Sequence, residues 1–240
     1  MSEFRFKNID FYYSLPSCIN EDNLKISGAE FIHITKVIRK QVGDEIFVVD
    51  GVGFIYHCRI SKISKNDLIA DIILKSESTT EKDINITLAL GLLKNPSKFD
   101  FVIEKAVELG VKKIIPFTSK FTISQKPKVE RWQKLAVSAM KQSQRAFLPI
   151  ISEALSFKEL LEHKADLKFI ADIEAESNII EKENIKNIII IIGPEGGFAE
   201  DEITSAIETG YKKINLSTNR LRAESAAIVS IPIILERFCK

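Results

Sequence analysis

Hydrophobic positions change their rhythm along this chain. In the amino-terminal third they alternate with polar ones: residues 45–50 and 54–60 flank Gly51-Val52-Gly53, and residues 68–74 follow in the same style. Period-two alternation around a glycine-bearing three-residue connection predicts a β-hairpin with a further strand beside it. One stretch, residues 29–40, reads as helix. The expectation for residues 1–74 is therefore a small β-barrel with a single helix. Residues 76–83 are polar and aperiodic, which predicts a linker between domains, placed at residues 75–82.

Over residues 83–240 strands alternate with helices. Apolar runs at 86–93, 114–117, 168–172, 188–192 and 213–217 predict strands, and 3.6-residue periodicity predicts helices at 97–109, 129–146, 157–163, 200–209 and 223–238. The first of these helices has Ser97 as its expected cap with Asp100 at the N3 position, an inward stripe of Phe99, Val102, Ile103, Ala106, Val107 and Leu109, and Gly110 as its stop. Pro232 is expected to kink the last one. Such alternation implies an α/β domain built on a mainly parallel sheet covered on both faces.

Five isoleucines, Ile188 to Ile192, run directly into Gly193-Pro194-Glu195-Gly196-Gly197. A wholly apolar strand that stops at a Gly/Pro-rich loop delivers that loop to the carboxyl edge of a parallel sheet, where ligands bind. Residues 217–222 leave the strand at 213–217 in the same way. If the two strands are neighbours, their loops face one another across one cleft. The glycine spacing fits neither a Walker loop nor a Rossmann fingerprint, and main-chain groups over an apolar floor suit a nucleoside-type ligand better than a bare phosphate. Taken alone, the first loop is also compatible with a tight turn, and the string Leu221-Arg222-Ala223-Glu224-Ser225-Ala226-Ala227 with a capped helix packed closely on the sheet.

Composition narrows the classes. The 240 residues are 45% hydrophobic and 28% charged, and no apolar run approaches the roughly 20 residues of a membrane helix. A cytoplasmic protein is expected. Cys18, Cys58 and Cys239 fit neither a disulfide framework nor a zinc site, and His33, His57 and His163 are scattered, so no metal is expected. The net charge of +1 conceals a gradient: residues 1–74 carry 9 Lys/Arg against 10 Asp/Glu, residues 75–150 carry 14 against 7, and residues 151–240 carry 11 against 16. A basic middle is the footprint of a phosphate-facing surface, or of solvated helix faces. Lys36, Arg39 and Lys40 cluster on the first domain and read equally as a backbone-gripping corner or a solvated helix end.

Gly193 to Phe198, Leu221 to Ala227, the string from Lys98 to Gly110, the segment from Trp132 to Pro149, and the Val37-Ile38-Arg39 and Val42-Gly43-Asp44 strings resemble the RsmE family over nearly the whole chain. That resemblance implies an amino-terminal PUA-like β-barrel and a carboxyl-terminal SPOUT α/β domain with a trefoil knot. It also implies a homodimer and use of S-adenosylmethionine to methylate N3 of a decoding-site uridine in the RNA of the small ribosomal subunit. It places the cofactor against Gly193, Pro194, Glu195, Gly196, Gly197, Leu216, Ser217, Asn219, Leu221, Arg222, Ala223, Glu224 and Ser225. This chain departs from the family pattern at Ser217, where glycine is usual, at Ser225 for threonine, and at Gln144 within residues 141–145.

Under that reading Arg222 is the candidate cation for the charge that develops on the uracil ring, because a guanidinium offers paired donors to a carbonyl edge. Glu195 and Glu224 are the candidate proton acceptors. Arg5, Lys36 and Arg39 on the first domain, with Lys94, Lys98 and Arg145 near the cleft, are the candidate RNA contacts. Three alternatives stay open: a SPOUT ribose 2′-O-methyltransferase acting on transfer or ribosomal RNA, a non-catalytic RNA-binding module of ribosome assembly, and a nucleotide-binding metabolic enzyme.

Overall fold

The computed structural model describes residues 9–79, 83–123, 126–175 and 184–238. The chain divides into two compact units, Met1–Glu81 with Val137–Leu148, and Lys82–Ala136 with Pro149–Lys240.

The first unit contains β1 (Phe11–Tyr13), β2 (Asn23–Ser27), α1 (Gly28–Ile32), β3 (Glu45–Val49), β4 (Phe54–Ile63) and β5 (Asp67–Glu77). The strands form one sheet in the order β1-β3-β4-β5-β2. β1 and β2 stand at its two edges, so the expected barrel is an open, curled half-barrel. The expected β3–β4 hairpin forms, with Val49 opposite Ile55, and Asp50 explains why: its buried carboxylate accepts hydrogen bonds from the N–H groups of Val52, Gly53 and Phe54 and from the Tyr56 hydroxyl. Alternate residues, among them Ile46, Val48, Tyr56, Ile60, Leu68 and Ala70, turn inward to form the core with Leu24, Ile26, Phe31 and Ile34.

The helix expected over 29–40 is shorter. After α1 the turn widens, with the Ile38 N–H bonded to the His33 carbonyl, and Arg39 has φ 62°. β5 runs into the segment expected to be a linker, with Glu77 opposite Phe54. Residues 137–148, expected in the second domain, pack within the first unit: Lys141 pairs with Glu30 at 2.7 Å, and Leu148 donates to the Gly51 carbonyl.

The second unit contains β6 (Asn85–Gly91), α2 (Pro96–Glu108), β7 (Lys113–Thr118), α3 (Val129–Gln142, whose last turns belong to the first unit), β8 (Ile150–Ile151), β9 (Leu155–Ser156), α4 (Phe157–Leu161), β10 (Leu167–Ala171), β11 (Asn187–Ile192), α5 (Glu200–Glu208), β12 (Lys212–Ile214) and α6 (Ala223–Phe238). The sheet order is β12-β10-β11-β6-β7-β8, and every pairing is parallel. All five isoleucines of β11 are buried. Ile189 and Ile191 pack with Leu160 of α4 and Ala206 of α5, while α6 covers β11 and β6 from the other side. Each such side chain contributes about 1.5–3 kcal/mol on burial, which makes β11 a fixed platform for the loop it carries.

Asn95, not Ser97, caps α2, its side chain accepting from the Ser97 N–H, with Pro96 in the first turn. Asp100 instead turns inward to accept from the Trp132 indole N–H at 3.1 Å and to pair with Arg131 at 2.7 Å. α3 stops at Gln142, four residues before the expected end, and Gln144 takes a positive φ. Pro232 lies inside α6.

Candidate functional site

β11 and β12 are not neighbours: β10 runs between them. The two loops nevertheless line one open cleft of about 1080 Å³, because the residues after β10, Asp172 to Glu174, supply a third side. The same logic that selected the other two loops, an apolar strand ending at polar residues, would have found this one in Phe169-Ile170-Ala171-Asp172.

The Gly193 to Phe198 wall is held by packing. The Gly197 N–H donates to the Pro194 carbonyl at 2.9 Å to close a tight turn, and Gly197 takes φ 73°, which favours glycine. A Cβ on Gly196 would stand 2.7 Å from that of Phe121, and one on Gly91, at the end of β6, would stand 2.7 Å from the Pro194 nitrogen. Gly91 therefore belongs to the site's construction although nothing local in the sequence distinguishes it. Phe198 stacks on Phe117 and tilts against Phe157, tying the loop's far end into the core. Glu195 accepts from the Lys94 N–H through both carboxylate oxygens, at 3.2 Å each.

The wall after β12 is held by polar contacts. Asn215 donates through Nδ2 to the Ile173 carbonyl and accepts from the Ser217 N–H; the Ser217 hydroxyl in turn accepts from the Asn219 N–H at 3.2 Å. Lys213 pairs with Asp172 at 2.6 Å. Burial opposes ionisation of Asp172, but the hydrogen bond from Lys213, the Glu174 N–H and the Lys213 charge outweigh it and hold the carboxyl below its ordinary range. The carbonyl of Arg222 accepts the first helical bond of α6 from the Ala226 N–H, and its side chain is exposed.

Glu224, one residue into α6, pairs with Lys98 at 2.9 Å. Burial would raise its pKa; the hydrogen bond from Lys98, the helix-end N–H and the charges of Lys98 and Arg222 together lower it. Its Oε2 is buried without a hydrogen-bond partner among the described residues.

The expected site residues therefore divide. Gly193, Pro194, Glu195, Gly197, Leu216, Ser217, Asn219, Leu221, Arg222 and Ala223 all line the cleft, joined by Lys98 and Ala226. Gly196, Glu224 and Ser225 stand in the same walls without lining the cavity. Of the RNA candidates, Lys36 and Arg39 are exposed in the first unit and Lys94 in the second. Arg145 is only 6% exposed and lies in the first unit, so burial withdraws it from phosphate binding. Lys98 is committed to Glu224. Arg5 lies outside the described residues.

The cleft fits an adenosyl-type cofactor. Backbone groups of the glycine loop meet apolar Ile192, Ile203, Leu216, Ala223 and Ala226 across it, and side chains at Gly193 or Gly196 would collide with Phe198 or Phe121 rather than leave the loop where it is. The volume is at the upper end of the roughly 300–1,000 Å³ of ligand pockets.

Comparison with known proteins agrees with this geometry. The RNA methyltransferase domain model matches residues 80–235 and the RNA methyltransferase PUA domain model residues 26–73. The ribosomal RNA small subunit methyltransferase E of Mesomycoplasma hyopneumoniae is 40% identical over 70% of this chain and 76% of its own length. That of Buchnera aphidicola is 31% identical over 93% and 94%. The crystal structure of a ribosomal RNA small subunit methyltransferase E from Neisseria gonorrhoeae bound to S-adenosyl methionine superimposes with a TM-score of 0.87 at 27% identity, over 96% of this chain and 98% of that one.

Proposed function

This chain belongs to the ribosomal RNA small subunit methyltransferase E family, and from that premise we propose that it transfers a methyl group from S-adenosylmethionine to N3 of a decoding-site uridine in small-subunit ribosomal RNA. The observation that carries the proposal is the convergence of Gly193 to Gly197 and Leu216 to Ala223 on one cleft. When bound there, S-adenosylmethionine supplies a methyl carbon on a sulfonium, an electrophile that needs no metal. The residues of Gly193 to Gly197, Leu216, Ser217, Asn219 and Leu221 to Ser225 hold it; the chain's task is to position and to stabilise charge. Holding donor and acceptor in line can supply about 7–11 kcal/mol of the barrier.

The target base must leave its stack, at a cost of a few kcal/mol, to present N3. Its N3–H proton leaves, the freed electron pair forms the N–C bond, and the C–S bond breaks with its electrons on sulfur. Arg222, exposed at the cleft with its guanidinium in no hydrogen bond or ion pair among the described residues, donates to the uracil carbonyls and stabilises the anion. Glu195 or Glu224 accepts the proton and passes it to water in the open cleft. Glu195 accepts from the Lys94 N–H and Glu224 pairs with Lys98, so both also hold the walls. Lys36, Arg39 and Lys94 contact RNA phosphates. A homodimer acting in the cytoplasm on ribosomal RNA or the small subunit, with a carboxyl-terminal trefoil knot in the second unit, completes the proposal.

The test is to incubate the protein with labelled S-adenosylmethionine and small subunits lacking the modification, then to identify the labelled nucleoside by mass spectrometry. N3-methyluridine is expected. A label on a ribose hydroxyl would replace the proposal with the 2′-O-methyltransferase reading, and no label would favour an assembly module.

A further inference from the structure

Beside Lys213, Arg220 and Arg222, the cleft is lined by Lys98. Its ammonium lies 2.9 Å from Glu224, with side-chain exposures of 31% and 13%. Lys98 is the third residue of α2 and Glu224 the second of α6, so the pair joins the amino ends of two helices that pack against each other. The second oxygen of Glu224 is buried and, among the described residues, receives no hydrogen bond. A half-buried carboxylate with one oxygen enclosed and unpartnered depends on its cation to keep its place. Without Lys98 it would turn toward water, disturbing its chain neighbours Arg222, Ala223 and Ala226, which line the cleft.

We infer that Lys98 is a positioning residue: by holding Glu224 it fixes the amino end of α6, and with it the surface on which the cofactor lies and the place of Arg222. It is not a phosphate contact, although its charge and its place at the cleft suggest one. The inference rests on the cofactor reading above for the identity of the ligand.

A double-mutant cycle of wild type, Lys98→Met, Glu224→Gln and the pair, with Lys98→Arg beside them, tests it by two readouts. Calorimetry gives affinity for S-adenosylhomocysteine, and binding of a small-subunit RNA fragment is followed from about 50 to 200 mM salt. Lys98→Met and Glu224→Gln should each weaken S-adenosylhomocysteine about tenfold, and the double variant no further, because contacting residues couple. Lys98→Arg should stay near wild type, and the slope of log affinity for RNA against log salt should not change in Lys98→Met. Additive losses would overturn the inference. So would a Lys98→Met protein that binds S-adenosylhomocysteine normally while its salt slope falls by about 0.7–0.9, the signature of one lost phosphate contact. Should Lys98→Met fail to fold, Lys98→Gln takes its place in the cycle. A wild-type chain that takes no S-adenosylhomocysteine would defeat the cofactor reading and this inference together, whereas additivity on a binding-competent wild type defeats the inference alone.

Discussion

The two long walls of the cleft are built on opposite principles. The Gly193 to Phe198 loop is locked by shape: Pro194 rests on the bare backbone of Gly91, Gly196 against Phe121, and Phe198 in an aromatic cluster. The loop after β12 is held by a relay of polar bonds through Asn215, Ser217 and Asn219, with the Lys213–Asp172 pair beneath. A packed wall tolerates no added atom, because interiors are filled to crystal-like density. A polar wall tolerates substitution but feels charge. The cation proposed for the reaction follows that division: it is the polar wall that offers Arg222.

The largest effect should come from Arg222→Ala. Loss of one preorganised donor to developing negative charge costs about 10²–10³-fold in rate. Single-turnover methylation at saturating RNA and cofactor should show that fall, while the urea midpoint stays put because the side chain is exposed; full activity would remove Arg222 from the chemistry. Gly91→Ala should do the reverse. Its Cβ would meet the Pro194 backbone, so urea denaturation should show a loss of about 1–3 kcal/mol from overpacking, with weakened S-adenosylhomocysteine binding. An unchanged midpoint would mean that the glycine wall is soft.

Ser217→Gly removes the acceptor of the Asn219 N–H. A loss of about 0.5–1.5 kcal/mol is expected, and a gain in stability would show that the polar relay is not what holds this wall. The smallest effect should be that of Asp172→Asn, a loss present at neutral pH that disappears in acid. A carboxyl whose folded pKa is lowered contributes stability above its unfolded value, near about 3.9, and loses it as pH falls through the lower folded value. Wild type should therefore lose stability more steeply than Asp172→Asn below about pH 4. Parallel curves would leave the Lys213–Asp172 pair without energetic weight.

The parallel sheet was legible because its evidence is local: five isoleucines and a glycine-rich stop can hardly be read otherwise, and the hairpin at Gly51-Val52-Gly53 announces itself the same way. What escaped was partnership. No periodicity says that β10 inserts between the two loop-bearing strands, that Gly91 must stay bare for Pro194, or that Asp100 leaves the helix end for Trp132. The same holds for Lys98, which reads in the sequence as one more cation in a basic stretch. Arg145 failed for a related reason, since a basic residue carries no local mark of burial. Motifs located the cleft, whereas the contacts that shape it span as many as 126 residues, from Lys98 to Glu224.

The excursion of the chain through residues 137–148 bears on how the protein is made. Because Lys141 reaches Glu30 and Phe147 bridges to Val52, the amino-terminal unit cannot finish assembling when its own strands leave the ribosome. It must wait for a segment translated some sixty residues later. At about 5–20 residues per second, that delay lasts several seconds, during which the β3–β4 hairpin end lacks its final cover.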